Sequence, residues 1–282
     1  MSDRADAYSR LEHISVTVAV GVAWAVIDHP PINLWDAALT SDLVRLIAGF
    51  ESDPETRVLV VSSADPEFFV AHADVQMILD MPADSQGVPD APAPINVLFD
   101  RLRTCPKVSI ALVRGIARGG GSELALACDL RFATPTARFG QPEVALGIIP
   151  GAGGTQRLTR LVGRARALEI VLGCGDVTGS EAAAMGYVNR VLAGEEIEPF
   201  VRRLATRIAA MPIAAVAGAK QSVDAAAGDP TEGYVAEAAA FRAALADPEA
   251  RERMARFLER GGQTREVERD LGALIDGLGS AE

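Results

Sequence analysis

Apolar positions along this chain change period several times, and each change marks an element. Ile14 to Val20 and Gly21 to Ile27 are short runs rich in Val, Ile and Thr, which predicts two strands meeting at Gly21. In the next turn, His29-Pro30-Pro31-Ile32-Asn33, the proline pair cannot continue a ladder. Asp36 to Phe50 then places Leu39, Leu43, Leu46, Ile47 and Phe50 at helical spacing. Arg57 to Ser62 and Val108 to Val113 are β-branched runs with the pattern of buried strands. Between them, Asp80 to Pro94 carries four prolines in fifteen residues, which predicts a surface loop, either plain or serving as a lid.

Beyond Glu143 the chain passes through the glycine-rich stretch Leu146 to Thr155, and helices are predicted over Gln156 to Val162 and Arg164 to Leu172. In Thr178-Gly179-Ser180-Glu181, Ser180 is the expected N-cap of a helix running to Met185. Tyr187 to Leu192 reads as a last strand. From Glu195 the pattern is helical and alanine-rich, with breaks near Pro212, Gly228-Asp229-Pro230 and Gly261-Gly262. The expected organisation is a flexible segment over 1–10, an α/β core over 11–193 and a C-terminal helical region over 194–282. No internal repeat is evident.

Composition narrows the function classes. The chain has 282 residues, 49% hydrophobic and 23% charged, enough apolar surface for a substantial core. A formal charge of −11 argues against nucleic acid as the main partner. An anionic ligand would have to rely on helix N-termini and a few placed cations. Cys105, Cys128 and Cys174 show no CxxC spacing, so reduced and mostly buried thiols are expected, as in a cytoplasmic protein. His13, His29 and His72 are scattered and no HExxH occurs, so no metal site is expected. The first ten residues lack the apolar stretch of a secretory signal, and no apolar run approaches the ~20 residues of a membrane span.

The candidate chemistry lies in two glutamates in glycine-rich frames. Glu123 ends Gly119-Gly120-Gly121-Ser122-Glu123, and Glu143 ends Phe139-Gly140-Gln141-Pro142-Glu143. Two carboxylates beside glycine-exposed amides suit proton transfer next to a carbonyl. One can move a proton on carbon while the other handles water, and the N–H groups can hold charge developing on oxygen. Taken singly, each glycine turn is as readily structural as functional, and the first lacks both the GKT/GKS ending of a P-loop and the spacing of a dinucleotide fingerprint. Ser122 is not framed as GxSxG. Asp129, leaving a short helix, reads as a turn cap or the partner of a cation.

Taken together, these features resemble the enoyl-CoA hydratase/isomerase (crotonase) family. The stretch Gly119 to Arg160 carries the resemblance, through Phe139-Gly-Gln-Pro-Glu143, Leu146-Gly147 and Pro150-Gly-Ala-Gly-Gly-Thr-Gln-Arg-Leu158, and looks like the hydratase branch. Weaker similarity spans about residues 14–260. The resemblance implies a crotonase-like spiral of repeated ββα units, with C-terminal helices that build trimers, often paired as hexamers. It implies an acyl-CoA thioester substrate and no cofactor, coenzyme A being part of the substrate. By the same similarity Glu123 would activate water and Glu143 would exchange the α-carbon proton. The amides of Ala71 and Gly120 would form an oxyanion hole, and Gly151 would help hold the water. Ala73 and Asp74, in the same loop as Ala71, are expected to bind substrate, as is Gly151. Phe257 and Arg260 match positions that in relatives reach a neighbouring subunit's coenzyme A.

Several positions depart from the family pattern. Ala71-His72-Ala73-Asp74 stands where Ala-Gly-Ala-Asp is usual, so a histidine takes a position where glycine's freedom is normally available. His72 either points away and leaves the Ala71 amide in place, or enters the site as a hydrogen-bonding or titrating group. Arg118 replaces an apolar residue. It is either a surface charge or an inward one that would lower a glutamate pKa. The His29-Pro30-Pro31 turn lacks its usual basic residue. The expected activity is reversible hydration of a 2-enoyl-CoA. The alternatives are an isomerase or another acyl-CoA lyase or hydrolase on the same fold, and a non-catalytic acyl-CoA-binding subunit.

Overall fold

The computed structural model of the protein describes residues 8–82, 90–225 and 231–278. An antiparallel hairpin opens the described chain, β1 (Ile14–Ala19) and β2 (Val22–Ile27), turning at Val20-Gly21, whose φ values are 51° and 73°. Helix α1 (Ala37–Ser52) then crosses back to lay β3 (Val58–Ser63) parallel to β2. Asp36 starts α1 by accepting the Leu39 N–H, and the predicted apolar stripe from Leu39 to Phe50 is its buried face.

The chain continues through β4 (Phe68–Val70), α2 (Val75–Leu79), α3 (Pro94–Thr104), β5 (Val108–Val113) and β6 (Ile116–Arg118). Next come α4 (Gly120–Ala127), β7 (Leu130–Ala133), β8 (Arg138–Gly140) and a 3-10 turn over Glu143–Leu146. Then follow α5 (Gly154–Val162), α6 (Arg164–Gly173), β9 (Val177–Thr178), α7 (Gly179–Met185) and β10 (Arg190–Val191). Helices α8 (Gly194–Ala209), α9 (Ile213–Ala225), α10 (Thr231–Leu245), α11 (Pro248–Glu259), α12 (Arg265–Glu268) and α13 (Leu271–Leu278) finish it.

From β3 to β8, successive strands alternate between two sheets. One sheet runs β1-β2-β3-β5-β7-β10 and the other β4-β6-β8-β9, so β3–β4, β5–β6 and β7–β8 are turns of a spiral. The centre of the large sheet is covered on both faces. Val58, Val60, Val108, Ile110 and Leu112 pack on Ile197, Val201 and Ala205 of α8, while Leu59, Val61, Ala111 and Val113 face the main core. That is why these strands read as unbroken apolar runs. Each such side chain contributes about 1.5–3 kcal/mol by leaving water.

The C-terminal helices pack on the core of their own chain. Leu245, Ala250, Met254, Phe257, Leu271 and Leu274 form one apolar cluster with Val75 and Ile78 of α2 and Leu146 and Ile148 after Glu143. Lys220 of α9 pairs with Asp129 at 2.8 Å, so of that residue's two readings the structure bears out the cation partner. All three cysteines are free and buried. Among the described residues no helix is long and apolar enough to cross a membrane, and no group of three or more His, Cys, Asp and Glu is placed to hold a metal ion.

Two local expectations change. Thr178, not Ser180, caps α7: its hydroxyl accepts the Glu181 N–H while the Glu181 carboxylate accepts the Thr178 N–H at 2.7 Å. The strand expected over Tyr187 to Leu192 shortens to two residues, because Tyr187 is drawn into the core and Asn189 bonds the start of β7. Part of the expected proline-rich loop, 83–89, and the break at 228–230 lie outside the described residues, as do residues 1–7 of the N-terminal segment.

Candidate active site

Helix α4 is buried along its whole length, yet it carries a carboxylate. Two glycines make that possible. Gly119 has φ 46° and ψ −123°, a conformation open to glycine, and turns the chain from β6 into the helix. Gly121 passes so close to β4 that a Cβ there would lie 2.1 Å from the Val70 carbonyl oxygen. The helix therefore starts against the edge of the small sheet, and Glu123, 3% exposed, points into the protein from its first turn.

The Glu123 carboxylate meets the N-terminus of α5. Its Oε1 accepts the Ala152 N–H at 2.8 Å and the Gly154 N–H at 2.7 Å, so a helix start supplies amides and positive potential to a buried charge. Gly151, just before, gives its carbonyl to Asn96 Nδ2 at 3.2 Å and lies under the ring of Phe241 from α10.

Glu143 approaches from the other side. It begins the 3-10 turn, and its Oε1 lies 2.7 Å from where a Cβ on Gly119 would sit. With its amide turned to satisfy its neighbours, Gln141 donates to both Glu143 oxygens at 3.2 Å and accepts from Ser122 Oγ at 3.1 Å. Ser122 in turn contacts the Tyr187 hydroxyl. Burial pushes the Tyr187 pKa up; Ser122 and Arg131 oppose this, and the charges of Glu143 and Glu123 add to it. That phenol is thus a neutral link that senses both carboxylates.

On the loop across from these groups, Ala71 and Ala73 are held differently. Ala71 N–H already donates to the Ile32 carbonyl at 3.2 Å, so it does not face the site. Ala73 instead forms a one-residue bridge with Trp35, in which Trp35 N–H bonds His72 O at 2.9 Å and Asp74 N–H bonds Trp35 O at 2.8 Å. Strand geometry turns the Ala73 N–H away from that bridge. Its nitrogen lies 3.7 Å from where a Cβ on Gly120 would sit, so these two amides are the neighbouring pair. Asp74 caps α2 through the Gln76 N–H at 2.9 Å and accepts from Gln263 at 3.1 Å. Asn33, at φ 50°, steadies the base of the loop by donating to Ser63 Oγ and to the carbonyls of Phe68 and Phe69.

His72 lines the site's edge with both ring nitrogens bonded within the protein. It is not among the positive-φ residues, so it needs none of glycine's freedom. Its ring is buried, with Nε2 2.7 Å from Glu268 Oε1 and Nδ1 2.8 Å from Ala73 O. Burial works to remove its proton, but the charge and hydrogen bond of Glu268 outweigh this and lift the His72 pKa above its ordinary value. Arg118 is likewise no surface charge. It is 1% exposed and its guanidinium turns to Asp176, at 2.7 and 2.8 Å, and to Glu268.

A cavity of about 30 Å³, space for roughly two waters, lies beside Glu143 and is lined by His72, Ala73, Ile78, Phe257 and Leu271 among others. Phe257 is buried in its own chain, edge-on to His72 with ring centroids 5.7 Å apart. Arg260 is exposed just past the end of α11, away from this cavity's lining. Gln141 and Tyr187 join the site without having been singled out from the sequence, although Gln141 lies inside the Phe139–Glu143 motif. Glu268 carried no signal at all.

This arrangement can be set beside known proteins. The enoyl-CoA hydratase/isomerase family profile matches residues 17–265. A short-chain-enoyl-CoA hydratase of Clostridium acetobutylicum is 35% identical over 72% of this chain and 77% of its own. A crotonyl-CoA hydratase of Syntrophomonas wolfei is 36% identical over 76% and 82%. A solved Streptomyces avermitilis structure, provisionally described as an enoyl-CoA hydratase, is 38% identical with a TM-score of 0.86, covering 95% of this chain and 98% of that one. The fold, the glycine frames and the long matches agree: this chain belongs, as an enzyme, to the enoyl-CoA hydratase/isomerase family and has the crotonase fold.

Proposed function

We propose that the protein adds water reversibly across the α,β double bond of a 2-enoyl-CoA, giving a 3-hydroxyacyl-CoA. The observation that supports this most is that two carboxylates flank the Gln141 amide: it donates to Glu143 on the 3-10 turn and, with Glu123 Oε1 from α4, lies against Gly154. In this reading the thioester carbonyl lies between the Ala73 and Gly120 amides. Charge develops on that oxygen when water adds at the β-carbon, or in the reverse direction when the α-carbon loses a proton, and one such donor is typically worth about 3–4 kcal/mol. Glu123, oriented by the Ala152 and Gly154 amides, activates water with help from Gly151. Glu143 exchanges the proton at the α-carbon. The hydratase names of the relatives support the same reaction.

Coenzyme A travels with the substrate, so this reaction needs no separate cofactor. The family resemblance extends this reading to a homotrimer or a hexamer of paired trimers, which light scattering on the purified chain checks. The activity test is loss of the 2-enoyl absorbance of crotonyl-CoA. No loss at high enzyme concentration would sink the hydratase reading.

A further inference from the structure

The hydrogen-bond geometry at His72 fixes its charge. Nε2 faces a carboxylate oxygen at 2.7 Å and Nδ1 faces a carbonyl oxygen at 2.8 Å. The carbonyl only accepts, and Glu268, held ionised by the Arg118 guanidinium and the Gln263 N–H, only accepts too; a neutral imidazole has a single N–H, so one contact would set a lone pair against an oxygen. Doubly protonated, the ring satisfies both. Glu268 is built to be the counter-ion: fully buried, it also accepts from the Gln263 N–H at 2.9 Å and from Arg118 at 3.2 Å.

The segment that carries Glu268 is fastened, not pendant. The Gln263 side chain accepts the Val75 N–H and donates to Asp74. Arg265 pairs with Asp65 and Glu67 and donates to the Pro31 carbonyl at 2.7 Å, and Arg269 pairs with Glu67 at 2.8 Å. The Arg118 guanidinium donates to the Glu268 backbone carbonyl at 2.8 Å. These contacts hold a C-terminal strap across the loop His72–Val75.

We propose that His72 is an imidazolium that positions the Ala73 oxyanion donor, and that Glu268, 196 residues later, is the counter-ion that keeps it charged and in place. Its Nδ1–H holds the carbonyl of the residue whose N–H faces the thioester oxygen. Both ring nitrogens are committed, so His72 is a positioning residue and not a proton donor to substrate. The charged groups around it are Glu268 and Arg118 at the Nε2 end, Asp176 behind Arg118, Glu143 across the cavity and Asp74 beyond Ala73. The catalytic half of this proposal rests on the reading of the site as an acyl-CoA oxyanion hole; the charge state does not.

Histidine-selective 15N labelling of the full chain tests the charge, because there are three imidazoles to resolve. At pH 8 one ring should carry both protons, and its signal should be missing from His72→Gln. A neutral His72 at pH 8 overturns the proposal. Glu268→Gln keeps an acceptor but removes the charge. It should lower kcat for crotonyl-CoA by about tenfold or more, leave KM within about twofold, and add a falling limb to the kcat profile above about pH 6.5. Wild-type kcat in Glu268→Gln from pH 6 to 9 overturns the positioning role. A turnover-free readout separates this from the hydratase reading itself. The ultraviolet absorbance of bound acetoacetyl-CoA enolate, which grows with oxyanion stabilisation, should fall in both variants, and an unchanged enolate fraction refutes the proposal.

Discussion

Two halves of the site are held by different means. The half bearing Glu123 and Glu143 is assembled from residues 119–154, by glycine turns and backbone amides at the start of α5. The half bearing Ala73 hangs on long-range contacts: the bridge to Trp35, the Asn33 side chain, and Glu268 near the far end of the described chain. The first is a local arrangement of main-chain donors that tolerates little change in backbone. The second depends on buried charges brought together by the whole fold. Groups that must be charged can thus be supported either by oriented amides or by a counter-ion, and this protein uses both.

The largest expected effects fall on the local half. Glu143→Gln and Glu123→Gln should each reduce crotonyl-CoA hydration by roughly 10²–10⁴-fold, as expected for loss of a positioned acid or base. If Glu123→Gln stays near wild type while Glu143→Gln is dead, the chemistry is of the isomerase type and the two carboxylates are not a pair.

On the long-range half, Glu268→Ala leaves Arg118 and His72 facing no carboxylate at that point. It should cost about 3–5 kcal/mol of stability, measured by urea unfolding near pH 6. The pH dependence has a definite sign. Glu268 is depressed despite burial, chiefly by the charge and hydrogen bond of His72, so its contribution is present above its ordinary value of 4.5 and lost as pH falls. His72 is raised, so its contribution is full below its ordinary 6.5 and lost as pH rises through the higher folded value. The gap between wild type and variant should be widest between those two values. At high pH it should shrink toward what Arg118 alone contributes. A gap that stays flat from pH 4 to 9 would contradict a charged pair.

Gly121→Ala tests the close approach of α4 to β4. The new Cβ would lie 2.1 Å from the Val70 oxygen, a backbone atom with little room to give, so a loss of about 3 kcal/mol or more and a lower Tm are expected. The smallest effect is Thr178→Ala, which removes an exposed cap and should cost about 1 kcal/mol by the same melting assay. If that change cost as much as Gly121→Ala, surface capping would rival backbone approach in this fold.

Legibility followed the same division. The strands Val58–Ser63 and Val108–Val113 and the helix from Ala37 were readable because burial on two faces or one writes a period into the apolar residues. The three-residue strands β4, β6 and β8 were not, because three residues carry no period. Thr178 was displaced by Ser180 as the expected cap because both are good cap residues within two positions of each other. The choice between them is made by which hydroxyl reaches the Glu181 N–H. At the site, Ala71 and Ala73 look alike in sequence, and the bond from Ala71 N–H to Ile32 separates them.

By itself the sequence determined the family, the two glutamates and the glycines that admit backbone amides to them. Each of these is a property of residues near one another along the chain: a side chain that ionises, a position without Cβ, a helix start. The tertiary structure alone decided that the Ala71 N–H is bonded to Ile32, that Arg118 turns to Asp176 and Glu268, and that His72 is held by a carboxylate 196 residues away. The physical reason is that a buried charge takes its meaning from its partner, and the partner is chosen by how the chain closes on itself.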